Sequence, residues 1–324
     1  MPECLIVQPI HEAGLDRLRD GGVAPRRASA PDMATVAREI AGCTAVITRN
    51  AGFDTTAVEA GTALRVIANH GVGMNRIDVA RATALGIVVV NTPTANARSV
   101  AEHAIALILG LARQVIPGDA AVRGCDWTLR YEGRMMELHG KVLGLAGFGT
   151  IGRMTAAIAR HGFGMRPLVF SPGTPDAVLA EAGAARAPTL EALLEQSDVV
   201  SLHRPLRPDT RHMIDAAAIA RMKPHALLVN TARGELVDTA ALAAALRAGR
   251  IAGAASDVFA VEPPDASEPL MMAPNTILAP HIAGVTEEAM RETALQCAEQ
   301  ILDALGGRPA RHMVRPEVWE RRRP

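Results

Sequence analysis

The sequence predicts an α/β protein built from two parallel-sheet domains. Short apolar runs, each long enough for one strand, alternate with amphipathic segments along most of the 324 residues. That order gives a parallel sheet with helices on both faces. One run, 142–146, is followed directly by a glycine-rich turn and a helix-forming stretch, in GKVLGLAGFGTIGRM at 140–154. The length leaves room for two hydrophobic cores.

Taken in order, strands are expected at 5–7, 45–48, 65–68 and 87–90, and helices at 13–18, 33–40, 55–59 and 77–85. The 87–90 run is apolar on both alternations, which suits a strand covered on both sides. SVAEHAIALILGLARQ at 99–114 predicts a long helix, with Ser99 as N-cap and Glu102 closing a capping box. It carries the chain from the first domain to the second. Residues 115–139, with Gly124, Trp127 and Gly133, show few apolar periods and read as an irregular excursion at a subunit interface. Strands follow at 142–146, 167–170, 198–202, 226–230, 252–256 and 276–279, with helices at 151–161, 189–195, 215–221 and 239–248. Six strands complete a dinucleotide-binding sheet. The last helix, 287–305, returns to the first domain. The expected domains are 1–98 with 285–324, and 99–284. They are Rossmann-like or flavodoxin-like, with a cofactor and substrate cleft between them as the default ligand site.

Composition excludes several classes. The formal net charge is zero, so nothing draws the chain to nucleic acid or to an anionic membrane. The run at 321–323 is basic, but a terminal charge run is ordinarily just solvated. Four cysteines lie far apart without a C-x-x-C pair, which fits a reducing compartment and argues against a zinc site; no metal is expected. The first residues lack a basic region followed by a long apolar one, and the longest apolar stretch, 104–112, is too short to span a bilayer. A cytoplasmic protein is expected.

Gly147, Gly149 and Gly152 form G-x-G-x-x-G between the strand and the helix. The first glycine allows a tight turn, the second lets a pyrophosphate approach the backbone, and the third lets the helix pack on the strand. The diphosphate would rest at the helix N-terminus, where unpaired N–H groups favour an anion.

Several motifs stand in one order: HGVGMNRIDV (70–79), NTPTANARSVAEH (91–103), GKVLGLAGFGTIG (140–152), SLHRPLRPDTRHMI (201–214), NTARGELVDTAAL (230–242), DVFAVEPP (257–264) and APHIAG (279–284). Together they resemble the D-isomer-specific 2-hydroxyacid dehydrogenase family over nearly the whole chain. The resemblance implies hydride transfer between a nicotinamide cofactor and a small D-2-hydroxy acid. The family's catalytic Arg, Glu and His fall on Arg233, Glu262 and His281. The chemistry fits those residue types. Histidine carries a proton near neutral pH, with an unperturbed pKa of about 6.5. A carboxylate orients the imidazole and favours its protonated form. Arginine clamps a carboxylate with a planar fork. Each also has a bland reading: a loop histidine, an exposed turn acid, a surface arginine.

The resemblance extends to ligand contacts. Thr150 and Ile151 would line the diphosphate, and the HRPL segment, with His203 and Pro205, would pass beside the adenosine. Thr231, Ala232, Arg233 and Asp257 would contact the nicotinamide half, with Asp257 accepting a bond from the carboxamide. Thr210, His281 and Gly284 complete the cofactor set. Val72 and Gly73, in a turn flanked by glycines, would hold the substrate carboxylate through backbone N–H groups. Arg49 and Asn96 resemble substrate-side positions of the phosphoglycerate branch.

One departure concerns the cofactor. An acid about 20 residues past the glycines ordinarily binds the ribose hydroxyls of NAD. Ser171 takes that place in LVFSPG (168–173), and no arginine follows it immediately. NAD is favoured and NADP stays open. A second departure is length: no room remains for the regulatory domain of some phosphoglycerate dehydrogenases. ANARSVAEH and Arg49 favour the phosphoglycerate-like branch. Glyoxylate or hydroxypyruvate reduction is the nearest enzymatic alternative, and Glu262 argues against formate dehydrogenase, which has Gln there. From another class, a nucleotide-sensing corepressor would share the fold. The family also implies a homodimer formed through the nucleotide domains and 99–139, burying Trp127.

Overall fold

A five-stranded and a seven-stranded parallel sheet each anchor one unit of the chain. A computed structural model describes residues 1–324. One unit comprises Met1–Asn96 with Val285–Pro324, the other Ala97–Gly284, so the first boundary falls at Asn96–Ala97 rather than at 98.

The first unit opens with β1 (Glu3–Ile6), α1 (Glu12–Asp20), β2 (Ala24–Arg27), α2 (Met33–Glu39), β3 (Ala45–Thr48), α3 (Thr55–Ala60), β4 (Val66–Asn69), α4 (Val79–Ala84) and β5 (Val88–Val90). The strand order is β2-β1-β3-β4-β5. β2 reads APRR and was not expected as a strand. It is an edge strand, where proline and charge are tolerated and no apolar run is needed. Asp32, Asp54 and Asp78 each accept the N–H three residues on, capping α2, α3 and α4.

The second unit comprises α5 (Ala97–Ala112), α6 (Val115–Arg123), α7 (Thr128–Glu132), β6 (Val142–Ala146), α8 (Thr150–Phe163), β7 (Arg166–Phe170), α9 (Asp176–Glu181), β8 (Ala185–Arg186), α10 (Leu190–Gln196), β9 (Val199–Leu202), α11 (Ala216–Arg221), β10 (Leu227–Asn230), α12 (Thr239–Arg247), β11 (Gly253–Ser256) and β12 (Thr276–Leu278). The order is β12-β11-β10-β9-β6-β7-β8. The winding reverses between β6 and β9, so their carboxyl ends open a crevice of the kind that holds ligands in such sheets. A Cβ at Gly144, in mid-strand β6, would run into Ser197 at the end of α10, so glycine lets that helix lie close.

Three expectations need correction here. The sheet has a seventh strand, β8, which is two exposed residues long and leaves no apolar signature. Ser99 is not an N-cap, because α5 already begins at Ala97. Residues 115–139 are not wholly irregular; α6 and α7 form there, although neither buries a residue. Without a face turned to a core, they show no apolar stripe to read. Trp127, expected to be buried only where a second subunit covers it, is 61% exposed in the single chain, which leaves that expectation open.

The remaining helix, α13 (Glu287–Leu305), belongs to the first unit. It packs on α1, and Gly14 permits this: a Cβ there would lie 2.8 Å from Ala294 Cβ. Cys4, Cys43 and Cys297 are buried in the first unit, and burial raises their thiol pKa values; Cys125 is exposed. No single helix is long and apolar enough to cross a membrane.

At the amino end of β9, Asp198 accepts bonds from Val142 N (2.8 Å) and Lys223 Nζ (2.8 Å) and pairs with His225 Nε2 (2.9 Å). Burial acts to raise its pKa, but these hydrogen bonds outweigh it and hold the carboxyl at about 2. A depressed carboxylate stabilises the fold fully above its unfolded value of 3.8, and that stability is lost as pH falls towards about 2. With allowance for solvent screening the contribution is on the order of 1–2 kcal/mol. Thermal melts from pH 6 to 2 should therefore show Asp198→Asn less stable than the parent at pH 6, with the gap closing below about pH 3. A constant gap would mean the cluster is not what titrates.

Candidate active site

The glycine turn shows why each glycine is needed. Gly147 has φ +104°, and a Cβ there would lie 2.6 Å from the His203 carbonyl oxygen. A Cβ on Gly152 would lie 2.6 Å from the Gly147 carbonyl oxygen. Gly149 differs: its φ is an ordinary −72°, and nothing lies within 4 Å of where its Cβ would be. It is the N-cap of α8, and no side chain caps that helix. Open space over an uncapped helix start, at Thr150 and Ile151, fits a dinucleotide diphosphate.

The neighbouring cofactor positions divide. Ser171 directly follows β7, and its Oγ accepts a bond from Thr174 Oγ1 at 2.9 Å. His203 hydrogen-bonds Ser201 Oγ through Nε2 at 2.9 Å, and burial pushes its pKa down to about 4, so the ring is neutral. Pro205 is exposed on the same loop. Thr210 needs a correction. It is buried, and its hydroxyl accepts from Arg207 N (2.7 Å) and donates to Pro205 O (2.8 Å). It shapes the 205–210 loop rather than facing a ligand.

The charged residues come from three loops at the carboxyl ends of β10, β11 and β12. After β10, Asn230 Oδ1 accepts Ala232 N at 3.0 Å, and its Nδ2 donates to Arg233 O at 2.8 Å. This clamp shapes the turn holding Thr231, Ala232 and Arg233. The buried Thr231 Oγ1 has no partner in the protein. A Cβ on Gly234 would collide with the Phe259–Ala260 peptide, so glycine lets the Arg233 turn meet the loop after β11. In that loop Glu262 Oε1 accepts Phe259 N at 3.1 Å, and the Glu262–Pro263 peptide is cis. After β12, His281 has φ +55° and sets Nδ1 at 2.9 Å from Glu262 Oε2 and 3.0 Å from Oε1. A carboxylate on Nδ1 leaves Nε2 as the working nitrogen of a half-exposed ring.

Asp257 lies beneath this loop with no exposure. Its Oδ1 accepts Ile282 N and its Oδ2 accepts Ala283 N, each at 2.8 Å. The carboxylate holds the His281 loop in place; a carboxamide bond could use only a lone pair left over from those two. Gly284 closes the same loop. His103, on α5, was missed from the sequence. Its Nε2 is buried 3.7 Å from Asp257 Oδ1 without a hydrogen-bond partner. The closing histidine of the AEH motif was the available signal.

In the first unit, the turn after β4 has its carbonyls engaged. Asn69 Nδ2 donates to Gly71 O (3.1 Å) and Gly73 O (2.9 Å), and Asn91 Nδ2 donates to Val72 O (3.0 Å). The N–H groups of Val72 and Gly73 donate to nothing in the protein, which suits them to an anion. Asn69 and Asn91 were not singled out from sequence. Arg49 donates to Pro9 O at 2.7 Å and to Met290 Sδ at 3.6 Å, and no carboxylate pairs with it. Burial, with the Arg49 charge nearby, drives His70 down to about 4. The buried Asn96 Oδ1 has no partner.

The fold and this constellation define a dehydrogenase of the two-domain dinucleotide class. Residues 105–283 match the model of the D-isomer specific 2-hydroxyacid dehydrogenase NAD binding domain. The glyoxylate reductase of Korarchaeum cryptofilum is 37% identical over 331 residues, spanning 100% of this chain and 98% of that protein. The D-3-phosphoglycerate dehydrogenase of Mycobacterium leprae is 36% identical, over 95% of this chain and 57% of its own length. Among solved structures, the TT0316 protein of Thermus thermophilus superposes with a TM-score of 0.87 at 33% identity, covering 97% of this chain and 100% of its own. The chain belongs to the D-isomer-specific 2-hydroxyacid dehydrogenase family. It is an oxidoreductase that uses a nicotinamide dinucleotide and acts on the CH–OH group of small 2-hydroxy acids.

Two glycine variants separate the turn's jobs. Gly149→Ala should leave the melting temperature near that of the parent and weaken dinucleotide binding, read by calorimetry, because its Cβ enters only the ligand's space. Gly147→Ala should lower the melting temperature itself, because its Cβ meets the His203 backbone. The idea fails if Gly149→Ala binds dinucleotide normally.

Proposed function

We propose that the chain reduces a 2-keto acid of the glyoxylate or hydroxypyruvate size to its D-2-hydroxy acid. The observation that carries this reading is the Glu262–His281 pair at 2.9 Å, beside the Arg233 turn. The bound nicotinamide supplies or accepts the hydride. Everything else falls to the chain. Glu262 holds Nδ1 of His281 and orients the ring. His281 Nε2 delivers a proton to the keto oxygen, and takes it back in the reverse direction. Arg233 clamps the substrate carboxylate with its planar fork, so that C2 is held still for the hydride. Asp257 and Asn230 keep the two loops in register. Similarity to a glyoxylate reductase over almost the full length of both chains supports the substrate size. A second reading, oxidation of a phosphorylated hydroxy acid, is favoured by Arg49, a cation without a carboxylate partner.

Consumption of NADH or NADPH with glyoxylate, hydroxypyruvate, pyruvate, 2-ketoglutarate and phosphohydroxypyruvate decides between the readings. Glyoxylate and hydroxypyruvate should turn over best; a clear preference for phosphohydroxypyruvate would move the assignment to the second reading. His281→Asn should lower kcat by about a hundredfold or more while dinucleotide binding persists. Near-parental turnover would remove His281 as the proton carrier. Arg233→Lys should chiefly raise KM, because the charge stays and the fork is lost.

The same reading includes a homodimer. Val115, Ile116, Val122, Trp127 and Tyr131 are 55–80% exposed on and between α6 and α7, and large apolar side chains left open within one short segment are of the kind an interface covers. Sedimentation should give twice the chain mass, and Trp127→Asp with Tyr131→Asp should shift it to one. A parent protein sedimenting as a single chain overturns this.

A further inference from the structure

The end of β7 has no acid for a ribose diol, yet cations stand beside it. Arg204 follows β9, and its stem lies along the glycine turn: a Cβ on Gly147 would be 3.1 Å from Arg204 Cγ. Its guanidinium carbon sits 5.7 Å from the centre of the Phe170 ring, and Phe170 precedes Ser171. These two contacts fix the guanidinium between the glycine turn and the end of β7, where a dinucleotide's adenosine ribose lies in such a sheet. Its ion pair is loose: Nη2 stands 3.4 Å from Asp209 Oδ2, on a carboxylate 66% exposed. Most of its N–H donors are therefore left for a ligand.

The turn after β7 adds two hydroxyls, Ser171 Oγ and Thr174 Oγ1, 2.9 Å apart. Arg186, on β8, braces this turn by donating to Ser171 O (3.4 Å) and Thr174 O (2.5 Å). It also pairs with Asp176 at 2.5 Å. A ribose 2′,3′-diol needs acceptors, and a carboxylate is the usual one. A 2′-phosphate carries a charge near −2 and needs donors instead. Arg204 and the Ser171 hydroxyl offer donors, Thr174 steadies Ser171 by donating to its Oγ, and no carboxylate at position 171 repels the phosphate.

We propose that this pocket takes a 2′-phosphorylated adenosine, held by Arg204 with Ser171, and that the chain therefore prefers NADP(H) to NAD(H). The proposal rests on the reading of the second unit as a dinucleotide site, and deepens it.

Calorimetric titration of the full-length protein with adenosine 2′,5′-bisphosphate and with 5′-AMP tests it without turnover. The bisphosphate should bind about tenfold to a hundredfold more tightly, and the preference should shrink as salt screens the contact. Arg204→Gln should bring the ratio of the two affinities close to one. Ser171→Asp should reverse it, which guards against a general loss of binding in the arginine variant. Equal or weaker binding of the bisphosphate by the parent overturns the proposal alone. A ratio unchanged in Arg204→Gln does the same. Failure of the parent to bind either nucleotide overturns the proposal together with the dinucleotide reading.

Discussion

A single buried carboxylate sets the geometry of the loop that bears His281. Asp257 directly follows β11, and its two oxygens receive the backbone N–H groups of Ile282 and Ala283. Charge-assisted bonds to a fully buried acceptor are stronger than neutral ones, and an unpaired carboxylate at that depth would be costly. The two needs meet in one arrangement. The loop must lie over Asp257, so His281 must emerge beside Glu262. The left-handed backbone at His281 is tolerated because this arrangement over-determines it.

The rest of the second unit serves the same end by other means. Side chains act on backbone more often than on one another. Asn230 shapes the Arg233 turn, Thr210 shapes the loop beyond β9, and Gly234 lets two loops touch. Chemistry can then be carried by few residues, because each arrives on a loop whose path is already fixed. Preorganisation of this sort lowers the barrier without any residue moving at the moment of reaction.

How much of this was legible in the sequence depended on the kind of signal. Buried parallel strands such as Ala45–Thr48 and Val142–Ala146 announce themselves as apolar runs. Edge strands do not. APRR in β2 and the two residues of β8 meet no apolar partner on their outer side, and so need no pattern. The segment holding α6 and α7 was misread for a related reason: it turns no side chain to a core of its own. At the site, Arg233, Glu262 and His281 could be named because motifs mark them. Asn69, Asn91, Asn230 and His103 could not be ranked, since their importance lies in which carbonyl or carboxylate they reach across the fold. Thr210 was misassigned for the same reason: sequence shows a hydroxyl, not which atoms occupy it.

The cysteines have a practical consequence. The three buried thiols, Cys4, Cys43 and Cys297, all lie in the first unit, and the second has only the exposed Cys125. To an alkylating reagent, Cys125 is open in the single chain and, lying between α6 and α7, would be covered in the proposed dimer, whereas the other three thiols wait on local opening in either state. The chain thus contains a built-in clock for one unit. The slow phase of thiol labelling times the opening of the β1–β5 unit and is blind to the nucleotide-binding unit. The breathing of that one unit can be followed in an unmutated protein.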